Sequence, residues 1–219
     1  MIEYDQDAIV HPYITEYLRK TVPPHEGILK ELETYAKEHS VPIVQPETAQ
    51  LLTVLCAIVR PTRILEIGCA IGYSAILMSE SLQEGGTVTT VEWDHEMAEL
   101  AKRNIASAGL SESIHVLEKD AKELLPTLSG EYDLIFLDGP KAHYIHMLND
   151  CIRLLKKGGV LVSDNVLYKG MTADDSHVVR RKITIVKRLR HFIAAQQQRQ
   201  ELKSVLLPLG DGVTVSVRI

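Results

Sequence analysis

Between Arg63 and Ser74 the chain reads RILEIGCAIGYS, and no other stretch restricts the possible folds as tightly. An apolar run, Ile64 to Ile67, holds a single acid, ends at Gly68 and reaches a second glycine, Gly72, before the sequence turns amphipathic. That pattern predicts a strand passing through a tight turn into a helix. Glycine at both places lets the backbone approach a ligand closely, and the helix from Tyr73 directs its free amide groups toward whatever is bound. Two glycines would also suit an ordinary strand-turn-helix crossover. Glu66, two residues before Gly68, narrows the reading. A dinucleotide turn needs G-x-G-x-x-G so that the pyrophosphate rests on the helix N-terminus. Ala70 breaks that spacing, and an acid at the strand end repels phosphate. The observed E-x-G-x-x-x-G suits a ligand with positive charge and no phosphate, such as S-adenosylmethionine with its ammonium and sulfonium groups.

From Arg63 onward strands and helices alternate, which predicts a mostly parallel sheet covered on both faces. Strands are expected at 63–67, 87–92, 113–117, 132–137 and 159–163, with helices at 73–83, 95–108, 121–128 and 144–155. Two further strand-like runs, 203–209 and 213–218, flank Gly210-Asp211-Gly212, a hairpin signal. The expectation is a seven-stranded α/β sheet of the class I methyltransferase type, Rossmann-like, closed by an antiparallel hairpin. Ahead of it, residues 1–40 read as a helical cap in two segments broken at Pro23-Pro24, and a third helix runs from Pro46 to about Arg60, stopped by Pro61. His11, Tyr13 and Tyr17 in the cap read as packing residues. At 219 residues, one domain is expected, with the cap at 1–40 and the catalytic core at 41–219.

The N-terminus is acidic where a secretory signal would be basic, and no apolar run approaches the roughly 18 residues of a membrane span, so a cytoplasmic protein without a membrane partner is expected. Cys56, Cys69 and Cys151 form no C-x-x-C pair and read as reduced, buried thiols. A net charge of −5 argues against indiscriminate nucleic-acid binding.

Ligands of open α/β sheets bind beyond the carboxyl ends of the strands. The residues expected there are Glu66, Gly68, Glu92, Asp120, Asp138, Asp164 and Asn165, and nearly all are acidic. Glu92 lies 24 residues after Gly68, near the spacing at which an acid grips ribose hydroxyls. Asp120 and Ala121 could hold an adenine, although Asp120 could equally be a helix N-cap. Asp138, Asp164 and Asn165 are hard oxygen donors of the kind that suit Mg²⁺ and do not suit zinc. Lys141, three residues after Asp138, could act as a general base beside such an ion, or could be a surface lysine opening the next helix.

From about Val44 to its end the chain resembles the metal-dependent O-methyltransferases of the catechol and caffeoyl-CoA type. The resemblance rests on EIGCAIGYS, Glu92, LEKDA, FLDGPK with its D-x-x-K, SDNVLY and PLGDGVTV, taken in order. It implies S-adenosylmethionine held by Val44, Glu66, Gly68, Ser74, Glu92, Asp120, Ala121 and Asp138. It further implies Mg²⁺ or a similar divalent cation on Asp138, Asp164 and Asn165, with Lys141 as the base, and a homodimer. Pro140, Cys69-Ala70 and Lys169-Gly170-Met171 depart from the usual family residues and leave the acceptor open.

On that chemistry an acceptor must offer a hydroxyl beside a second oxygen, as catechols do and as 5-hydroxyuridine does with its C4 carbonyl. Residues 177–200 bear on the choice, with seven lysines and arginines and no acid. An apolar stripe of Val179, Ile183, Val186, Leu189 and Ile193 would leave Arg180, Arg181, Lys187 and Arg188 facing outward toward phosphates. A solvated helix would look the same. Chain length and compact loops are similar to those of the bacterial tRNA 5-hydroxyuridine methyltransferases, which implies the tRNA anticodon region as partner, with a small catechol as the alternative.

Overall fold

The computed structural model describes residues 9–219, so the first eight residues of the expected helical cap lie outside the described residues. Helices α1 (Pro12–Thr21), α2 (Gly27–His39) and α3 (Pro46–Val59) precede the sheet. The first two have the Pro23-Pro24 break between them, and α3 opens on Pro46. The strands are β1 (Arg63–Ile67), β2 (Thr87–Glu92), β3 (Ile114–Glu118), β4 (Tyr132–Leu137), β5 (Leu155–Ser163), β6 (Leu202–Leu207) and β7 (Val213–Arg218). Between them run α4 (Tyr73–Ser79), α5 (His95–Ser107), α6 (Ala121–Leu124), α7 (Tyr144–Leu154) and α8 (Ile183–Gln198).

The seven strands form one sheet in the order β3-β2-β1-β4-β5-β7-β6. The first four pairings are parallel, and β7 runs against both of its neighbours. Both faces are covered, which is why the central strands read as continuous apolar runs. Ile64, Leu134, Phe136, Val160 and Val162 point to the side packed by α2–α5, whereas Leu65, Ile67, Ile135, Leu137 and Leu161 meet α6–α8. The cap helix α2 contributes Leu29, Leu32 and Ala36 to the first of these cores. By contrast α1 buries no side chain fully, and Tyr17 is 67% exposed. Tyr17 is therefore exposed and not buried as a packing residue would be, while Tyr13, 56% exposed, stacks on the His11 ring at 5.7 Å.

Four element boundaries moved for identifiable reasons. Helix α4 ends at Ser79 rather than 83, because the chain must reverse before Thr87: Gln83 N–H donates to Pro61 O, and Gly85-Gly86 completes the turn. Pro126 tightens the end of α6 into a 3₁₀ turn over Leu125–Thr127. Strand β5 starts at Leu155, four residues early, because Leu155 pairs with Tyr132 and residues 156–159 bulge before Val160 pairs with Leu134. Pro208 stops β6 at Leu207.

Candidate functional site

Strand order reverses direction between β1 and β4, and a crevice opens at their carboxyl ends. The ladder extends beyond the strands to fix the residues there. Gly68 N–H donates to Val91 O at 3.0 Å, Asp138 N–H to Ile67 O at 2.8 Å and Asp164 N–H to Leu137 O at 3.0 Å. Two adjoining cavities result. One, of about 460 Å³, is lined by Val44, Gly68, Glu92, Asp138, Lys141, Asp164 and Asn165 among others. The other, of about 290 Å³, shares Gly68 and Glu92 and adds Asp120 and Ala121. Glu66 and Ser74 are buried and line neither cavity, and neither do Arg180, Arg181, Lys187 and Arg188.

The glycine turn adds to one expectation. At Gly68, with φ +100°, a Cβ would lie 2.7 Å from the Asp138 carbonyl carbon. The missing side chain therefore makes room for the neighbouring strand end as well as for a ligand. Ala70 takes a left-handed φ of +44°, and its amide donates to Glu92 Oε2 at 2.9 Å. Glu92 Oε1 accepts from the amides of Trp93 and Asp94 at 2.9 and 3.0 Å. Three backbone donors thus hold a carboxylate that has about four acceptor positions, leaving one for a ligand hydroxyl. Asp120 is an N-cap, accepting from Lys122 N–H at 2.8 Å, and it lines the smaller cavity too.

Glu66 is fully buried on β1. Burial pushes its pKa up to about 8; the Ser74 and Thr90 hydroxyls moderate this, and the charges of Asp138 and Glu92 add to it. Thr90 Oγ1 donates to Glu66 Oε2 at 2.5 Å, whereas Oε1 has no hydrogen bond of good geometry. A buried, half-satisfied carboxylate behind the cavity wall fits a cationic ligand on the other side.

Asp164 is 1% exposed, and burial followed by the charge of Asp138 raises its pKa to about 7. Burial raises Asp138 as well, against the pull of the Lys141 ammonium. Lys141 Nζ donates to Asp138 Oδ1 at 3.0 Å from a 3₁₀ turn, Lys141–His143, that opens on Pro140. Asn165 has a left-handed φ of +57°, and its amide donates to Asp164 Oδ1 at 2.6 Å. Two carboxylates raised by burial, Asp164 also by the charge of Asp138, line the cavity with Asn165 and form a hard-oxygen donor set that fits a divalent ion such as Mg²⁺. A second group, His95, Glu99 and Glu118, lies on the surface. There Lys102 already sits 2.6 Å from Glu99 and 3.6 Å from Glu118, so its charge is balanced within the protein.

The loop beyond β5 is held in a strained form. Tyr168, Lys169 and Gly170 are all left-handed, at φ +48°, +57° and +76°. Lys169 N–H donates to Asp211 Oδ1 at 2.5 Å, and Arg190 donates to the carbonyls of Thr172 and Met171 at 2.9 and 3.1 Å. A Cβ on Gly212 would lie 2.6 Å from the Leu167 Cβ. The hairpin signal at 210–212 is thus also the prop of this loop, a role the sequence pattern did not disclose.

The basic segment is only partly as expected. In α8 the buried positions are Val186, Leu189, Phe192 and Gln196, whereas Val179 is 50% exposed and Ile183 is exposed as well. The stripe starts later because 180–182 form a separate 3₁₀ turn that offsets the helical phase. Arg188 does not project outward: it is half-buried and donates to Ala142 O at 3.2 Å, next to Lys141. Lys182 lies 5.7 Å from the Tyr168 ring, and Arg190 holds the loop. Arg180, Arg181 and Lys187 remain exposed.

Several lining residues carried no signal in the earlier motifs. Trp93, 70% exposed, lines both cavities; His143 and Met147 line the smaller one and Gln45 the larger. Trp93 was findable, since it directly follows the strand-end Glu92.

Strand order, reversed hairpin and strand-end site together define a class I methyltransferase fold. Within that class, a family model described as O-methyltransferase matches residues 20–219, and the chain belongs to that family. A caffeoyl-CoA O-methyltransferase of Stellaria longipes is 28% identical over 98% of this chain and 92% of its own. A catechol O-methyltransferase of Niastella koreensis is 33% identical over 61% of this chain and 62% of its own. Among solved structures, an O-methyltransferase from Bacillus cereus in complex with SAH superposes with a TM-score of 0.83 at 25% identity, covering 94% of this chain and 97% of that one. TomG from Streptomyces achromogenes, in complex with SAM, gives 0.82 at 25% identity over 100% and 99%.

Proposed function

We propose that this chain transfers a methyl group from S-adenosylmethionine to one hydroxyl of an acceptor with two adjacent oxygens, and that the acceptor is 5-hydroxyuridine at the tRNA wobble position. The observation that carries the transferase reading is one cavity uniting Lys141, bonded to Asp138, with Asp164 and Asn165, and with the cofactor wall of Val44, Gly68 and Glu92. Asp138, Asp164 and Asn165 would hold a divalent ion, which when bound lowers the pKa of a ligated acceptor hydroxyl. S-adenosylmethionine supplies the methyl on a sulfonium.

The chain's own residues do the rest. Glu92 offers its remaining acceptor position to a ribose hydroxyl, and Asp120 with Ala121 flanks the base. Glu66, buried behind the cofactor's cationic end, is drawn toward its ionised form when that cation binds. Lys141, as the neutral amine, accepts the proton of the acceptor hydroxyl and becomes the ammonium, so that the oxygen can attack the methyl in line. The rigid strand ends hold the reactants aligned, the largest contribution a protein makes to such a transfer.

Support for an RNA acceptor is the placement of the basic segment. Arg188 is bonded to Ala142 beside Lys141, and Lys182 lies against Tyr168 of the acceptor loop, so the basic segment packs beside the turn that carries the base and has Arg180, Arg181 and Lys187 exposed on it. A single-stranded anticodon base can enter such a pocket while its phosphates meet those cations. The curated relatives favour a second reading, a catechol or a caffeoyl-CoA-like thioester as acceptor. We also propose a homodimer: α3 exposes Val54 and Ile58, and light scattering would measure the mass.

Labelled S-adenosylmethionine and Mg²⁺, given with tRNA containing 5-hydroxyuridine, with catechol and with caffeoyl-CoA, each with and without EDTA, test both readings. EDTA-sensitive label in tRNA is the expected result. Label in catechol or the thioester alone removes the RNA reading and keeps the chemistry. Replacing Arg180 and Arg181 with Ala should weaken tRNA binding and lower the salt dependence by about one unit of slope per lost phosphate contact.

A further inference from the structure

We infer that Tyr144 is a positioning residue for the divalent-ion site, its hydroxyl fixing the Asp164–Asn165 peptide against the end of β4. The inference rests on the reading of Asp138, Asp164 and Asn165 as the ion's ligands.

Tyr144 is fully buried at the start of α7. Its hydroxyl lies 3.1 Å from Leu137 O and 3.1 Å from Asp164 O. Those carbonyls stand at the ends of two neighbouring strands, one directly before Asp138 and the other at Asp164 itself. Leu137 O already accepts from Asp164 N–H, so the ladder satisfies it without help. The Asp164 carbonyl is different. The chain turns sharply after it, Asn165 being left-handed, and the next ladder bond is made by Val166 N–H to Gly212 O. The tyrosine hydroxyl is the donor that this buried carbonyl finds, and the bond sets the plane of the peptide between Asp164 and Asn165.

That peptide carries two of the three ligands. Its N–H donates to Asp164 Oδ1, so its plane also orients the carboxylate. Tyr144 is three residues after Lys141 and six after Asp138, directly after the turn that carries Lys141. One side chain therefore ties the base-bearing turn to the β5 end. Its ring is anchored edge-on against Phe192 at 5.3 Å. A buried aromatic whose hydroxyl merely satisfies a carbonyl would also look like this, and the two roles separate by measurement.

Tyr144→Phe removes one oxygen and keeps the ring. Phe192→Leu loosens the same packing and leaves the hydroxyl in place. Mn²⁺ titration followed by electron paramagnetic resonance reads ion affinity without turnover, and S-adenosylmethionine affinity checks the fold. The expected result is a loss of about tenfold in Mn²⁺ affinity for Tyr144→Phe, in the range seen when outer-sphere partners of ligands are removed. Phe192→Leu should melt earlier and bind Mn²⁺ as the parent does. Equal Mn²⁺ affinity in Tyr144→Phe and parent, or an equal loss in both variants, overturns the assignment. If the parent itself binds no Mn²⁺, the ion site falls and this role with it.

Discussion

Asp133 and Asp138 stand at the two ends of strand β4, and the protein treats them in opposite ways. At the amino end, Asp133 Oδ2 accepts from Thr62 N–H, Thr62 Oγ1 and Arg63 N–H at 2.8, 2.9 and 2.8 Å, and Lys156 pairs with Oδ1 from the irregular stretch of β5. Burial alone would raise its pKa; the Lys156 ammonium and these donors overcome that and hold it below the usual carboxylate range. At the carboxyl end, Asp138 has one lysine for a partner, lies near a second carboxylate and is raised. Strain follows the same division. Of six non-glycine residues with positive φ among the described residues, Ala70, Asn165, Tyr168 and Lys169 belong to the carboxyl edge, while Ser40 and Arg60 are ordinary helix C-caps. One edge of the sheet is satisfied and holds the fold, and the other keeps charge and strain that a ligand can relieve.

The sharpest way to break this contrast is to remove a group from each edge. Lys141→Ala should lower turnover by about 10²–10⁴-fold, the range of a lost general base, with the melting temperature almost unchanged. Steady-state rates beside a thermal melt decide it, and a large drop in melting temperature with normal rates would invert the assignment. Asp133→Ala should do the reverse. It strips a buried carboxylate from three donors and an ammonium, costing about 3 kcal/mol, while the rate per folded molecule stays at the parent value. Urea unfolding and active-site-normalised kinetics measure the two halves.

Much of the fold was legible because the signals were local. Gly68, Pro46, Pro61 and the 210–212 turn act on their own backbone, and a continuous apolar run such as 132–137 identifies a strand buried on both faces. The strand-end acids were legible for a related reason: a parallel sheet brings residues at equivalent places in each repeat to one edge. What stayed hidden depends on distant partners. Arg188 reads as outward-facing until the Ala142 carbonyl meets it, and Gly68, which lines both cavities as expected, also has to clear the Asp138 backbone beside it. The basic stripe was misplaced because a 3₁₀ turn at 180–182 shifts the helical phase, and no residue there announces it.

Glu66 sharpens the contrast from between the two cases, with the smallest expected effect. Like Asp133 it is sealed from water, and like Asp138 it lacks enough donors, with Thr90 on one oxygen and none of good geometry on the other. Its pKa of about 8 lies above the 4.5 of an unfolded glutamate. Between those values the native protein holds a proton that the unfolded chain has lost, so stability falls as pH rises through this window. Glu66→Gln cannot ionise and keeps an oxygen for Thr90. The variant should match or slightly trail the parent at pH 5 and exceed it by roughly 2 kcal/mol at pH 8.5, after allowing for relaxation around a buried charge. Asp164 and Asp211 are also raised, but they titrate in both proteins and cancel in the difference. Saturating S-adenosylmethionine should narrow the gap at pH 8.5, because a nearby cation favours the ionised glutamate. Urea unfolding at pH 5, 7 and 8.5 supplies the comparison. Parallel curves for parent and variant would mean that Glu66 is charged and paired in the folded protein, and that the carboxyl edge begins at Asp138.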